Sequence, residues 1–233
     1  MKRSVKANRG SYYLHNKKGQ LLYLSTSENI KSSLNKLFIA ENDISKKLVE
    51  EVYSVEAVST GNWLVGQIKK LEEAKKAKPK FNEITKPKFG FALVEDDSPN
   101  DKLLRVTPLE KTISVEPLVK ISSLKEGYRA IRMMRRSLNQ EQKEELLKLL
   151  KKFPDQAIFS GKGRSNAEKC AFIVEGQKLI AYYYFRLNEE IGDPKRLSKS
   201  RVPIDDSDIL THLLKIGIVS GEYKLVQKHG IVV

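Results

Sequence analysis

Gly161-Lys162-Gly163-Arg164-Ser165 gathers two glycines and two cations into five residues. Glycines let backbone amides approach an anion and flanking cations can hold it, so the run fits a phosphate cradle. It also fits a plain basic turn ahead of a strand, and no G-K-[ST] tripeptide closes it as a nucleotide-binding P-loop would. Arg129, Arg132 and Arg136 recur at spacings of three and four, which puts them on one helix face. Such a stripe suits a phosphate backbone, or it is a solvated face. Tyr182, Tyr183 and Tyr184 on a strand place Tyr183 opposite the other two, for stacking unpaired bases or for sheet packing. His15, His212 and His229 have no metal-ligand partner at useful spacing and receive no role. Cys170 is the sole cysteine, which excludes an intrachain disulfide and a cysteine-rich metal site.

The net charge of +14 bounds the partners of this 233-residue chain. Residues 1–88 hold 18 Lys and Arg against 9 Asp and Glu, a surplus of nine, so the first part carries most of the excess. A basic surface recruits phosphate backbones by releasing condensed counterions. A lysine-rich solubilising surface is the other reading, since Lys far outnumbers Arg and supplies point charge rather than a bidentate fork. No apolar run approaches the ~20 residues of a membrane helix. The basic N-terminus lacks the apolar segment of a signal peptide, so a cytoplasmic, reducing location is expected.

The elements that must position these residues follow from pattern. Residues 11–14 and 21–24 read as strands around HNKKGQ, with Gly19 free to take positive φ. Ser27 or Glu28 opens a helix bearing Ile30, Leu34, Leu37 and Phe38. Residues 48–58 alternate as a half-buried strand. Thr60-Gly61-Asn62 caps a helix from Trp63 to Ala77 whose Leu64, Ile68 and Leu71 share a face, and Pro79 stops it. ITKPKFG (84–90) reads as a linker, and residues 89–96 and 102–109 as strands joined by DDSPND. Ser122 or Ser123 caps a helix to about Arg136, and Asn139 caps residues 140–153. Residues 170–185 read as a hairpin around Glu175-Gly176, 187–203 as an exposed loop, Asp205–Ile216 as a helix ending at Gly217, and 223–228 as a last strand.

GSYYLHNKKGQLLYLSTSENIKSSLNKLF (10–38) and LVGQIKKLEEAKKAKPKFN (64–82) resemble the GIY-YIG nuclease family, of the excinuclease type and the exonuclease-fused type. SSLKEGYRAI (122–131) and residues 158–185 are more loosely similar to the C-terminal region of the exonuclease-fused proteins. The resemblance implies an α/β to α+β chain. Residues 1–88 would form a GIY-YIG-like domain, a small mixed sheet flanked by helices. Residues 89–233 would form a second, smaller α+β domain. It further implies that two tyrosines position the attacking water, an arginine stabilises the developing charge, a glutamate binds one divalent metal and an asparagine completes the site. Tyr12, Tyr23 and Asn82 retain family positions, whereas Ser33 stands at the arginine position and Lys70 at the glutamate position. An ammonium is no ligand for Mg²⁺. Glu73 is the nearest replacement carboxylate, roughly 300° around the helix from Lys70 and so offset by almost a turn; Glu72 lies at roughly 200°.

The expectation is therefore a catalytically degenerate, DNA-binding member of a repair-associated nuclease family. In it Lys69, Lys70, Lys75, Lys76 and Lys78 turn a cutting surface into a holding surface, with Arg129, Arg132 and Arg136 as further contacts. No cofactor is expected unless the alternative holds: a divergent Mg- or Mn-dependent endonuclease using Tyr12, Tyr23 and a displaced carboxylate. A third reading is a protein-interaction module. DNA is the expected partner, with a DNA-repair protein as another and no membrane.

Overall fold

A computed structural model of the chain describes residues 9–82, 88–96, 103–112, 115–189, 201–205 and 207–228. Two compact units result: Met1–Lys86 with Lys162–Glu168, and Pro87–Gly161 with Lys169–Val233. The start of the expected linker, the DDSPND turn after Asp96, most of the 187–203 loop and His229 lie outside the described residues.

The first unit opens with β1 (Gly10–His15) and β2 (Leu21–Ser27), which pair antiparallel. Their turn forms because the Asn16 carboxamide accepts from the backbone N–H groups of Lys18 and Gln20, at 2.9 and 3.0 Å, while Gly19 takes φ +75°. Next come α1 (Ile30–Phe38), α2 (Asp43–Glu51), β3 (Ser54–Ser59) and α3 (Trp63–Ala77). β1 is central in the order β2-β1-β3, and both pairings are antiparallel, so the sheet is not mixed.

The helix starts are local chemistry. Asn62 caps α3 by accepting from Val65 N at 3.0 Å, at the expected position. α1 is capped by Asn29 rather than Ser27 or Glu28; Ser27 Oγ instead accepts from Asn29 N. Residues 48–51 are helical, which corrects the expected strand over 48–58. Asn42 accepts from Ser45 N at 2.9 Å, Asp43 sits in the first turn, and Ser45 and Leu48 bury one side three residues apart. Only Ser54–Ser59 of that stretch is strand. α3 ends on Lys78 in the left-handed conformation, one residue before Pro79.

The two sheet faces have different covers. Register places Tyr12, Leu14, Tyr23 and Ser25 on one face and Ser11, Tyr13, Leu24 and Thr26 on the other. Tyr12 and Leu14 pack with Leu22, Ile30, Leu34 and Leu48, so α1 and α2 cover their face. α3 lies on the Thr26 face. A Cβ at Gly66 would meet Thr26 Cγ2 at 3.2 Å, and Gln67 Nε2 donates to Thr26 Oγ1 at 2.7 Å.

The second unit is the larger, not the smaller, because it holds two sheets. β4 (Phe91–Glu95), β5 (Leu104–Pro108) and β6 (Val119–Ile121) form one, in the order β5-β4-β6. α4 (Leu124–Ser137) starts at Ser123, whose hydroxyl accepts from Glu126 N while Glu126 accepts from Ser122 N. α5 (Gln140–Lys151) starts at Asn139 in a full capping box. β7 (Gln156–Lys162), β8 (Glu168–Glu175), β9 (Lys178–Arg186), β10 (Val202–Pro203) and β11 (Lys224–Lys228) form the other sheet, in the order β10-β9-β8-β7-β11. α6 (Ser207–Val219) runs through Gly217 instead of ending there. The glycine serves packing: a Cβ on it would overlap the Tyr223 ring.

Candidate functional site

Tyr12 and Tyr23 are brought together, with ring centroids 6.2 Å apart. Tyr12 is buried at 4% exposure; Tyr23 is half-buried. Burial first, and Tyr23 second, push the Tyr12 hydroxyl up to about 12, against a smaller pull downward from a hydrogen bond with Ser25. A tyrosine held so far above neutrality keeps its proton and is a poor base at physiological pH.

The other residues that the resemblance singled out do not join the tyrosine pair in one site. Ser33 forms a hydroxyl pair with Ser27 at 2.6 Å. Asn82 spends its carboxamide on the sheet: Oδ1 accepts from Leu24 N at 2.7 Å and Nδ2 donates to Leu24 O at 2.8 Å. Beside it, Phe81 N donates to Leu22 O at 2.9 Å, so residues 81–82 line the outer edge of β2. Glu73 acts on the other side of the sheet, where it and Glu56 add to burial in raising the Tyr13 hydroxyl. It therefore does not stand beside the Tyr12–Tyr23 pair.

Lys70 belongs to α3, the helix on the Thr26 face. It is half-buried, and burial is the cause that lowers its pKa. Among the described residues no carboxylate pairs with it. Lys75, Lys76 and Lys78 are exposed around the same helix end, and Lys69 is half-buried. Among the described residues no group of three His, Cys, Asp or Glu side chains could hold a metal ion. With Lys70 an ammonium and Glu73 on the other side of the sheet, these residues do not fit a divalent cation.

The glycine-rich basic run is a hairpin tip, and its backbone and Arg164 are engaged locally. Residues 162–168 belong to the first unit, where Asn62 Nδ2 donates to Lys162 O at 2.9 Å. Gly61, at φ +73°, lies so close to Gly163 that a Cβ would overlap the Gly163 carbonyl. Arg164 forms an ion pair with Glu168. The structure thus gives this run the basic-turn role. The β9 tyrosines are packing residues: Tyr182 meets Tyr184 at 6.0 Å, while Tyr183 meets Phe185 at 5.8 Å on the other face.

In the second unit, Arg132 and Arg136 line a groove of about 780 Å³. Arg129 is exposed and does not line it. Arg105, Arg135 and Tyr128, which lie outside the expected stripe, do. Repeating the helical spacing from Arg132 back to Tyr128 would have found the tyrosine. No local signal would have found Arg105, which comes from β5.

Fold and site define a small antiparallel α+β unit around a tyrosine pair, with a half-buried lysine on α3, followed by a second α+β unit. Among solved structures the chain is similar to the GIY-YIG N-terminal endonuclease domain of UvrC from Thermotoga maritima. The magnesium-bound form is 21% identical, with a TM-score of 0.33, covering 34% of this chain and 89% of that one. Two point mutants bound to the catalytic divalent cation are 21% and 20% identical, also at 0.33 and 34%, covering 88% and 89% of theirs. A likeness of this size carries no activity across. No protein-family model matches the chain, and no curated protein matches it. Among the described residues no helix is long and apolar enough to cross a membrane.

Proposed function

We propose that the chain is a DNA-binding protein derived from a GIY-YIG endonuclease that holds DNA without cutting it, in repair or another form of DNA processing. The observation that carries this reading is Lys70, a half-buried ammonium with no carboxylate partner among the described residues. Such a cation has lost part of its hydration, and a phosphate oxygen restores both charge balance and hydrogen bonding. Lys69, Lys75, Lys76 and Lys78 extend the positive surface along the helix, and the net charge of +14 supplies long-range attraction.

The endonuclease alternative is disfavoured by Lys70, an ammonium that cannot ligate a divalent cation, and by Glu73, which acts on the other side of the sheet from the tyrosine pair. The protein-interaction alternative has one observation in its favour: Ile39, Ile44 and Tyr53 stand exposed in the first unit.

Fluorescence anisotropy of labelled duplex and branched DNA, titrated across salt with Mg²⁺ present, tests the proposal. Submicromolar binding that falls steeply with salt is expected. The DNA should remain intact, and Lys70→Glu should weaken binding about tenfold or more. Unchanged affinity in Lys70→Glu, or no binding near physiological salt, overturns it. Metal-dependent cleavage that disappears in Tyr23→Phe would establish the enzyme.

A further inference from the structure

We infer that the groove on the second unit is a binding site for unpaired nucleic acid, with Tyr128 as the stacking platform for a base and arginines holding the flanking phosphates. The inference takes its ligand class from the reading above, but uses other residues in the other unit.

The α4 backbone packs closely on the sheet β5-β4-β6. Gly127 permits this: a Cβ there would stand 2.5 Å from Ile121 Cδ1 and 2.8 Å from Val106 Cγ2. The groove beside this contact has an apolar floor of Leu104, Val106 and Ile131. Along its helix wall Tyr128, Arg132 and Arg136 follow one another four residues apart, with Arg135 beside them. Arg105 also lines it, from β5, where it pairs with Val94.

Charge and shape select the occupant. The chain has 11 arginines, and four of them line this groove, in a protein whose positive charge is otherwise mostly lysine. Guanidinium forks bind phosphate bidentately, which an ammonium cannot do. Asp96 is the one acid in the lining, and among the described residues no carboxylate is ion-paired with any of the four arginines. Tyr128 is 56% exposed, so an aromatic face is available next to this cationic wall. The volume suits one or two nucleotides rather than a duplex, and an apolar floor suits a base that has left its stack. From Tyr128 to Arg136 the helix rises about 12 Å, enough to reach the phosphates on either side of one or two nucleotides.

The test is anisotropy of a short labelled oligo-dT with the full chain, run beside duplex DNA. Tyr128→Ala should weaken oligo-dT binding about tenfold, and Tyr128→Phe should restore it. The double variant Arg132→Ala/Arg136→Ala should lower both the affinity and its salt dependence. These side chains are exposed, and circular dichroism confirms that each variant is folded. Oligo-dT binding indifferent to Tyr128→Ala overturns the inference, as does equal competition by polyglutamate, which would make the groove an acidic-peptide site. If Lys70→Glu weakens duplex binding while Tyr128→Ala leaves oligo-dT unaffected, the groove reading fails alone. If the responses are reversed, the α3 reading fails alone.

Discussion

Tyr12 and Tyr23 meet across the first two strands with their rings tilted by 40°, and each belongs to the packing of the α1–α2 face. The Tyr12 hydroxyl, pushed up to about 12 chiefly by burial, is neutral over the physiological range. Its folded pKa exceeds its unfolded value of about 10. The folded state therefore binds the extra proton between those values, and stability falls as pH rises from about 10 to 12. Ultraviolet titration should show a tyrosine that ionises only with alkaline unfolding and is missing in Tyr12→Phe. A Tyr12 signal titrating near neutrality would contradict this and revive the water-activating role.

Lys70 should show a trade between stability and binding. Its folded pKa is lowered, so below that pKa its charge is less favourable in the folded than in the unfolded chain. Lys70→Met removes that cost and keeps the apolar stem. Thermal unfolding should shift upward by a few degrees while DNA affinity drops. A variant that loses stability and affinity together would mark Lys70 as a packing residue.

His212 predicts an acid limb. Its Nδ1 accepts from Lys120 N at 3.2 Å, its ring meets Phe89 edge-on, and burial, with Lys215 and Lys120 adding to it, lowers its pKa to about 4. Asp208 pulls weakly the other way. The unfolded chain protonates near pH 6.5 and the folded one does not, so stability is lost as pH falls from about 6.5 to 4. The shift caps the effect at about 3 kcal/mol, and partial exposure of the ring reduces the expectation to about 1–2 kcal/mol. Melts of wild type and His212→Asn across that range should converge at low pH. Parallel curves would refute the assignment.

Gly217 should tolerate no side chain. Alanine gains up to about 1 kcal/mol of helix propensity. Its Cβ would overlap the Tyr223 ring, which also packs edge-on against Phe172 at 4.9 Å. Overpacking costs about 1–3 kcal/mol, so the net effect of Gly217→Ala is destabilising. A chemical denaturation midpoint equal to or above wild type would show that the ring moves freely.

Features that depend on a single local bond were legible in the sequence. Asn62, Ser123 and Asn139 cap the expected helices because a side-chain oxygen and an amide three residues on suffice. The turn at Gly176, φ +56°, is legible for the same reason. The segment 48–58 misled because Leu48 and Val52 satisfy strand alternation and helical spacing alike, and only Asn42 and the buried Ser45 decide between them. For the candidate site, the sequence shows that Asn82 and the two tyrosines are present. It does not show that the Asn82 carboxamide is occupied by Leu24, nor that Arg105 on a strand lines the same groove as Arg132 on a helix. Those relations exist only once distant segments pack.

The two residues clipped along β2 have a consequence for self-association. An outer strand is where another chain can add itself, since its unpaired amides and carbonyls form a template for sheet growth. Phe81 N and both ends of the Asn82 carboxamide already occupy Leu22 O and the Leu24 backbone. Both backbone groups of Leu24 and the carbonyl of Leu22 are already engaged on that edge. The Asn82 carboxamide thus closes part of an exposed sheet edge to other chains.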